Sequence, residues 1–255
     1  MSSVEEFYNN LSLNYHLQFS DWEESLKYQS MVIDNLIGRY LQQKPENIKL
    51  LDCSCGIGTQ AIGLALKGYN VSATDLSEKA VKRCKEEADK HNVNIKCKVA
   101  DFRTLEKQID GLFNCIISFD NALPHLLTRE DLYLGIKSIY NKLNAGGIFL
   151  VSIRDYDSAL EHRTKVQPPY VHDDENGRRI TLQVWDWNED NTYKMNLYII
   201  NHQGNECITN YDYTMYRAWT RAEMTEVIRE CGFKNIQWHM PDETQFYQPI
   251  VICFK

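Results

Sequence analysis

A glycine-rich segment near the start of a predicted α/β core carries the clearest chemical signal in this 255-residue chain. It reads Leu50-Leu-Asp52-Cys-Ser-Cys-Gly56-Ile-Gly58 and follows a short apolar run. The two glycines let the backbone approach a ligand closely. A dinucleotide site has the pattern G-x-G-x-x-G, but here the third glycine, Gly63, is two residues late and an acid precedes the pair. Because Asp52 would repel a pyrophosphate, the segment suits a ligand with an amino-acid tail.

A second acid, Asp75, ends the next apolar run, Asn70–Thr74. A carboxylate at this position can accept both ribose hydroxyls of an adenosine. In open α/β sheets the ligand lies at the carboxyl ends of the strands, so Asp75 and the glycine segment should meet the same molecule. Together they indicate S-adenosylmethionine, which carries an ammonium and a sulfonium and no phosphate.

Strand-like runs alternate with helical segments from about residue 48, which predicts right-handed βαβ units and a parallel sheet. The turn Ala145-Gly146-Gly147 should precede a strand over Ile148–Ile153. After this strand, turn signals separate three long stretches that predict an antiparallel meander: Arg179–Trp187, Thr192–Asn201 and Glu206–Tyr216. A helix capped by Thr220 and two further strands, Phe233–His239 and Tyr247–Phe254, then resume the core.

These patterns predict a single domain with three parts. Residues 1–45 are helical and rich in aromatic side chains, as in a lid. Residues 46–155 and 218–255 form the α/β core, with helices on both faces of the sheet. Residues 156–217 form an antiparallel insert that covers the site.

Composition narrows the class of partner. The chain is 43% hydrophobic and 25% charged, as in globular proteins, and its formal charge is −7. Nucleic-acid-binding domains usually carry a basic surplus, so no nucleic acid is expected. No apolar run approaches about 18 residues and the start lacks a secretory signal, so we expect no membrane partner. The eight scattered cysteines suit reduced thiols in a cytoplasmic protein without a metal site, and oligomerisation stays open.

Five segments in order resemble class I S-adenosylmethionine-dependent methyltransferases: LLDCSCGIGTQ, VSATDLS, VADFRTL, CIISFDNALPHLL and NAGGIFLVSIRDYD. Within that class the chain is most similar to the glycine and sarcosine N-methyltransferases, over roughly residues 5–156 and more weakly in the last 40 residues. The resemblance implies a Rossmann-like class I methyltransferase sheet. It also implies S-adenosylmethionine as the cofactor and S-adenosylhomocysteine as its product.

The resemblance also implies roles for the residues of the first two segments. Ser54, Gly56 and Gly58 would line the methionine moiety of the cofactor. Asp75 would hold the ribose, and Leu76 would pack on the adenine.

Further cofactor contacts come from the later segments and the N-terminus. The resemblance implies that Asp101 and Phe102 contact the adenine amino group and ring. Phe119 would touch the cofactor through backbone atoms. In the lid, Tyr15 and Trp22 would close over the methionine half.

The acceptor site is implied by the last two segments. Asn121 and His125 match the G-N-S-F-x-H-L stretch of glycine N-methyltransferases. Arg154 and Tyr156 match their R-N-Y-D stretch, whose arginine holds the substrate carboxylate with a two-pronged guanidinium. Asp155 departs from the asparagine of that family, so it could pair with Arg154 or receive a cationic amine.

The aromatic residues of the meander predict a roof over this site or a core beneath it. They are Trp185, Trp187, Tyr193, Tyr198, Tyr211, Tyr213 and Tyr216. Alternation along a strand places every second side chain on one face. Ring faces could then surround a methylated ammonium.

The sequence therefore predicts methyl transfer to a small-molecule acceptor, at an amine nitrogen of a carboxylate-bearing compound such as glycine or sarcosine. The alternatives are an O-methyltransferase or other small-molecule methyltransferase of the same fold, a nicotinamide-dependent oxidoreductase, and a non-catalytic cofactor-binding protein.

Overall fold

The computed structural model describes residues 4–175 and 177–255. Its strands are β1 (Lys49–Asp52), β2 (Asn70–Asp75), β3 (Lys96–Val99), β4 (Phe113–Ser118), β5 (Leu143–Ser152), β6 (Tyr170–Asp174), β7 (Gly177–Trp187), β8 (Thr192–Gln203), β9 (Glu206–Arg217), β10 (Lys234–His239) and β11 (Ile250–Phe254). Its α-helices are α1 (Val4–Leu11), α2 (Trp22–Tyr40), α3 (Thr59–Leu66), α4 (Glu78–Lys90), α5 (Leu105–Gln108), α6 (Arg129–Lys142), α7 (Tyr156–His162), α8 (Arg221–Glu230) and α9 (Pro241–Thr244). Short 3₁₀ turns lie at Tyr15–Gln18, Pro45–Asn47, Phe102–Thr104 and Leu123–His125.

The main sheet has seven strands in the order β3-β2-β1-β4-β5-β11-β10. Strands β1 to β5 are parallel, β11 is antiparallel to β5, and β10 is antiparallel to β11. The strand order reverses between β1 and β4, because β2 and β3 lie on one side of β1 whereas β4 and β5 lie on the other. Open α/β sheets bind ligands at such a switch point. The predicted Rossmann-like sheet is confirmed.

Two apolar cores lie on opposite faces of this sheet. Leu51 and Ile116 belong to one core, and their neighbours Leu50 and Ile117 belong to the other. Successive strand residues point to opposite faces, so strands covered on both sides carry apolar residues at every position. This accounts for the nearly continuous apolar runs in β1 and β4.

The predicted insert is a separate antiparallel sheet, and it has four strands in the order β6-β7-β8-β9. The sequence predicted three of these strands and missed β6 and the helix α7. The glycine turn before the fifth strand also differs, because β5 already begins at Leu143 and includes Gly146 and Gly147. The pairing of β5 with β4 shifts register across these glycines, between Phe113 and Cys115.

The late glycine of the glycine-rich segment, Gly63, serves helix packing. A Cβ atom at Gly63 would lie 2.6 Å from Ser30 Cβ and 2.7 Å from the carbonyl oxygen of Leu26, both on α2. Because only a glycine fits there, α2 lies directly against α3 and holds the N-terminal helices on the sheet. In the described part of the chain, no helix combines the length and apolar character needed to cross a membrane.

Candidate active site

The loop after β1 is built by two glycines with different tasks. Gly56 has φ +52° and its N–H donates to Asp75 Oδ2 at 2.9 Å. The ring of Tyr15 lies above it, with the nearest ring atom 3.7 Å from the position of a Cβ. Gly58 has φ +100°, and a Cβ there would lie 2.8 Å from Cys84 Sγ. Gly56 therefore takes the left-handed turn that directs its N–H to Asp75, whereas Gly58 lets α3 pack against α4.

Asp75 closes the loop from the end of β2. Its second oxygen accepts the N–H of Ser77 at 2.9 Å, in addition to the bond from Gly56. Burial raises the pKa of the carboxyl, and these two bonds oppose the shift. A carboxylate has about four acceptor positions, so acceptor capacity remains for a ligand that carries a hydroxyl group.

Asp52, at the end of β1, is a buried carboxylate with an unused oxygen. Oδ1 accepts the N–H of Ser54 at 3.2 Å, whereas Oδ2 is buried and has no hydrogen-bond partner. Burial raises the pKa of Asp52 to about 8. A buried carboxylate oxygen without a partner is costly, so this position suits a ligand that brings a cation.

Three more residues predicted to contact the cofactor lie at this edge of the sheet: Ser54, Leu76 and Phe119. Ser54 Oγ lies 2.9 Å from Ser118 Oγ, and the buried Phe119 packs edge-on against Phe246. Both therefore support the loop by contacts within the protein. Leu76 is half-buried after β2.

Asp101 and Phe102 lie at the end of β3. The carboxylate of Asp101 is 2.6 Å from Arg103 Nη2, and Arg103 also pairs with Asp131 at 2.9 Å. Phe102 lies against Gly135 of α6. The predicted contacts of Asp101 with an adenine amino group would therefore compete with an existing ion pair.

The two predicted lid residues differ in position. Tyr15 lines a cavity between the lid, the core and the insert, whereas Trp22 is absent from the walls of that cavity. The indole Nε1 of Trp22 donates to Thr59 Oγ1 at 2.9 Å, and its ring meets His91 edge-on. Trp22 thus joins α2 to the start of α3, and of the two predicted lid residues only Tyr15 lines the cavity.

A cavity of about 760 Å³ opens between the lid, the carboxyl ends of β4 and β5, and the insert. Its polar walls include Asp120, Arg154 and Gln183, and its aromatic walls include Trp185 and Tyr216. The lid, the core and the insert therefore enclose one shared space.

Arg154 presents its guanidinium to this cavity. Nη1 donates to Tyr193 Oη at 2.8 Å and Nη2 donates to Gln183 Oε1 at 3.0 Å. The guanidinium carbon lies 4.8 Å from the ring centre of Trp185 and 5.1 Å from that of Tyr216. All of these contacts are neutral, and no carboxylate among the described residues pairs with Arg154. A cation held this way is available to an anionic ligand.

Asp155 does not pair with Arg154. Its Oδ1 lies 2.8 Å from Arg221 Nη1 and also caps α7 through the N–H of Ser158. Arg221 in turn reaches Asp157 at 3.4 Å. Asp155, which replaces the asparagine of the glycine N-methyltransferases, is therefore paired with Arg221 of α8. It does not neutralise the guanidinium of Arg154.

Asn121 and Tyr156 lie behind Arg154 rather than in the cavity wall. Asn121 Nδ2 donates to Tyr156 Oη at 2.8 Å, and Asn121 Oδ1 accepts the N–H of Arg154 at 3.0 Å. Tyr156 Oη also lies 2.9 Å from Tyr193 Oη. Both side chains are buried. Asn121 holds the backbone N–H of Arg154, and Tyr156 contacts Tyr193, the hydrogen-bond partner of the guanidinium.

His125 is also a buried bracing residue. Nδ1 lies 3.0 Å from the carbonyl oxygen of Met215 and Nε2 lies 2.9 Å from Tyr8 Oη. Its ring centre is 4.0 Å from that of Tyr216. Burial lowers its pKa to about 3, so the imidazole is neutral and joins the lid to the insert.

The aromatic residues of the insert divide between its two faces. Trp187, Tyr193 and Tyr216 are opposite one another on neighbouring strands and face the core. Tyr198 and Tyr211 pair on the outer face, with ring centres 5.1 Å apart. The predicted roof of seven aromatic residues is therefore reduced to the members on the inner face.

Sequence reasoning missed several acidic or polar members of the cavity wall, among them Asp120 and Gln183. Asp120 stands directly before Asn121 in a segment that was already singled out, at the glycine position of the glycine N-methyltransferase pattern. That mismatch was the available signal. Gln183 lies on an ordinary alternating strand and offered none.

Comparison with known proteins agrees with this geometry. A family model described as a methyltransferase domain matches residues 50–147. The chain is also similar to a glycine/sarcosine N-methyltransferase of Halorhodospira halochloris, with 24% identity over 163 residues that cover 59% of each protein. The chain spans about half the length of the curated relatives it matches.

Solved structures share the whole architecture. An S-adenosylmethionine-dependent methyltransferase from Clostridium acetobutylicum has a TM-score of 0.73 at 17% identity and 97% coverage of both chains. The S-adenosylmethionine-bound amino pentose methyltransferase CalS10 from Micromonospora echinaspora has a TM-score of 0.72 at 13% identity, with coverage of 90% and 91%. The chain thus has the class I methyltransferase fold, and its residues 50–147 match the methyltransferase-domain model. S-adenosylmethionine is the cofactor of this class.

Proposed function

We propose that the protein transfers a methyl group from S-adenosylmethionine to an amine nitrogen of a small, carboxylate-bearing molecule. The observation that carries the proposal is Arg154, a cation in the cavity wall that has only neutral partners among the described residues. Two guanidinium nitrogens match the two oxygens of a carboxylate. The glycine/sarcosine N-methyltransferases among the relatives support the same acceptor class.

The loop after β1 fits the cofactor. Asp52 offers a buried oxygen without a partner for the ammonium of the methionine moiety. Asp75 keeps acceptor capacity for the ribose hydroxyls, and Tyr15 lies directly above Gly56, where a lid would cover the loop. When bound, the cofactor supplies an electrophilic methyl group on a sulfonium. No phosphate has to be accommodated, which disfavours a nicotinamide cofactor beside Asp52.

The remaining work of the protein is to bind and orient the acceptor. Arg154 would hold the carboxylate, while Tyr193, Asn121 and Tyr156 fix the position of the guanidinium. Tyr15 and the inner aromatic face of the insert would exclude water. Methyl transfer needs a neutral amine and an in-line approach, so positioning and desolvation provide most of the rate enhancement.

We also propose that the three predicted parts act as separate functional units. Residues 1–45 would cover the cofactor, 46–155 and 218–255 would bind it, and 156–217 would roof the acceptor. The contacts of Tyr8 with His125 and of His125 with Met215 support this arrangement because they join the lid, the core and the insert.

An assay of S-adenosylhomocysteine release tests the proposal. Each carboxylate-bearing amine is paired with its decarboxylated counterpart: glycine with methylamine, sarcosine with dimethylamine, and β-alanine with ethylamine. We expect kcat/KM to be at least about tenfold higher for one carboxylate-bearing member than for its partner, the difference that one charge-assisted hydrogen bond supplies. Equal rates within every pair, or no S-adenosylhomocysteine release with any of these amines, would contradict the proposed acceptor.

A further inference from the structure

Asp120 is a second charged group in the cavity wall, and its carboxylate lacks a cationic partner. Gln60 Nε2 donates to Asp120 Oδ2 at 2.8 Å, and the hydroxyl of Tyr247 donates to Oδ1. Among the described residues Asp120 forms no ion pair, although Arg154 is near enough to influence it electrostatically. The cavity therefore presents one anion and one cation, each held by neutral partners.

The orientation of this carboxylate is fixed by a chain of amide groups. Gln60 Nε2 also donates to Gln29 Oε1 at 2.6 Å, so the amide of Gln60 is held from two sides. Gln60 and Gln29 are both buried. Each oxygen of Asp120 thus accepts one bond from a positioned donor and keeps further acceptor capacity.

The backbone at Asp120 is in an unusual conformation that aims the side chain into the cavity. Asp120 and Asn121 have φ +57° and +67°, two consecutive non-glycine residues in the left-handed region. Such residues are uncommon and cost free energy. The turn is held by the Asp120 N–H, which donates to Ser152 Oγ at 2.9 Å, and by the bond between Asn121 and Arg154. The same turn therefore positions both charged groups.

The other acid near Arg154 is already occupied. Asp155 lines the same cavity, but its carboxylate pairs with Arg221 at 2.8 Å and caps α7. A cationic amine that enters the cavity would have to displace this ion pair at Asp155. At Asp120 it would meet a carboxylate with no ion pair to break.

We propose that Asp120 receives the amino group of the acceptor opposite Arg154 and accepts its proton, so that the acceptor is a zwitterion bound at both charged ends. This inference rests on the proposed function. The proton moves from the ammonium to an oxygen of Asp120, and the N–H electron pair remains on nitrogen as the lone pair that takes the methyl group. The proton leaves Asp120 for solvent when the methylated ammonium product departs.

The surroundings of Asp120 support proton transfer. The titratable groups that face it are Asp52 of the glycine loop, Tyr15 of the lid, Arg154 after β5 and Tyr247 before β11. Burial raises the pKa of Asp120 and brings it closer to that of an amine. A matched pair of pKa values makes the transfer efficient.

The test compares the pH dependence of kcat/KM in wild type, Asp120→Asn and Asp155→Asn. The acceptor is whichever of glycine, sarcosine and β-alanine the wild type methylates fastest. In Asp120→Asn no carboxylate is present to take the proton, so only amine molecules that are already neutral in solution can react. Its kcat/KM should fall by about tenfold or more at pH 7 and recover substantially as the pH approaches the pKa of the free amine. Asp155→Asn should keep the profile of the wild type.

Two controls separate this role from a structural one. Calorimetric binding of S-adenosylhomocysteine to Asp120→Asn should match wild type, which shows that the cofactor site is intact. Tyr247→Phe removes one donor to Asp120 but keeps the carboxylate. Because the bond from Tyr247 lowers the pKa of Asp120, the acidic limb of its kcat/KM profile should move to higher pH, with activity retained above that limb.

The outcomes distinguish the two proposals. Normal turnover by wild type, with an Asp120→Asn profile that is unchanged or lowered equally at every pH, would overturn the role of Asp120 alone. If the wild type methylates none of the amines although S-adenosylhomocysteine binds, the proposed acceptor class is overturned and this inference with it.

Discussion

The hydroxyl of Tyr193 lies 2.8 Å from Arg154 Nη1 and 2.9 Å from the hydroxyl of Tyr156. Tyr193 lies on β8 of the insert, whereas Arg154 follows the last parallel strand of the core. One hydroxyl therefore joins the insert to the proposed carboxylate-binding group. Since the guanidinium has no carboxylate partner among the described residues, its orientation depends on such neutral contacts.

Replacing Arg154 should affect the acceptor and spare the cofactor. Arg154→Ala removes the charge-assisted bonds to the acceptor carboxylate, each worth about 1.5–3 kcal/mol. We expect kcat/KM for a carboxylate-bearing amine to fall by about 10- to 100-fold, mainly through KM. The affinity for S-adenosylhomocysteine, measured by calorimetry, should change little. Arg178→Ala, at an exposed arginine paired with Asp173, is the matched control. Equal loss of cofactor and acceptor binding would refute the assignment.

Removing the hydroxyl of Tyr193 should loosen the guanidinium without removing its charge. Tyr193→Phe keeps the ring stacked on Trp185, whose centre is 4.6 Å away, and deletes the bonds to Arg154 and Tyr156. One such bond contributes about 1 kcal/mol, so we expect KM for the acceptor to rise roughly fivefold. Tyr198→Phe, on the outer face of the same strand, is the control. The prediction fails if both variants show the same kinetics.

The buried carboxyl of Asp52 should make the cofactor-free protein less stable as the pH rises. Burial raises its pKa from 3.8 to about 8. Between these values the folded protein holds a proton that the unfolded chain has lost, so the free energy of unfolding falls with increasing pH. The asparagine of Asp52→Asn cannot ionise, so between pH 5 and pH 8 the Tm of this variant should fall less than the Tm of wild type. Asp75 and Asp120 are present in both proteins, so parallel Tm curves would contradict the role of Asp52.

His125 should change the stability with pH in the direction opposite to that of Asp52. Burial lowers its pKa from 6.5 to about 3, so between these values the unfolded chain binds a proton that the folded protein does not. Its contribution to stability is present above about pH 6.5 and is lost as the pH falls. His125→Gln should therefore lose less Tm than wild type between pH 7 and pH 4.5. An NMR titration that places the His125 pKa near 6.5 would show that the ring is accessible and that this assignment is wrong.

Local patterns were enough to predict much of the fold. The parallel core and the three longer strands of the insert follow from continuous or alternating apolar runs, and Thr220 was identified as the cap of α8 by its position. Strand β6 was missed because Tyr170–Asp174 is a largely exposed edge strand without apolar alternation. Helix α7 was missed because its seven residues bury only Tyr156.

The details of the site depend on contacts that no local pattern contains. The partners of Asp120 are 60 and 127 residues away, at Gln60 and Tyr247. The pairing of Asp155 with Arg221 likewise spans 66 residues. The resemblance to the glycine N-methyltransferases placed Asn121, His125 and Tyr156 near the chemistry, but burial and hydrogen bonds place them behind the cavity wall.

The most direct test of the central claim is a calorimetric titration of cofactor-stripped protein with S-adenosylhomocysteine, run in parallel on wild type and Asp75→Ala. We predict saturable binding at one site in wild type. Asp75→Ala should bind more weakly by about 1–3 kcal/mol, the loss of charge-assisted hydrogen bonds to the ribose. No heat of binding to wild type at millimolar ligand, or tight saturation by NADH instead, would contradict the claim that this fold and site belong to a methyltransferase.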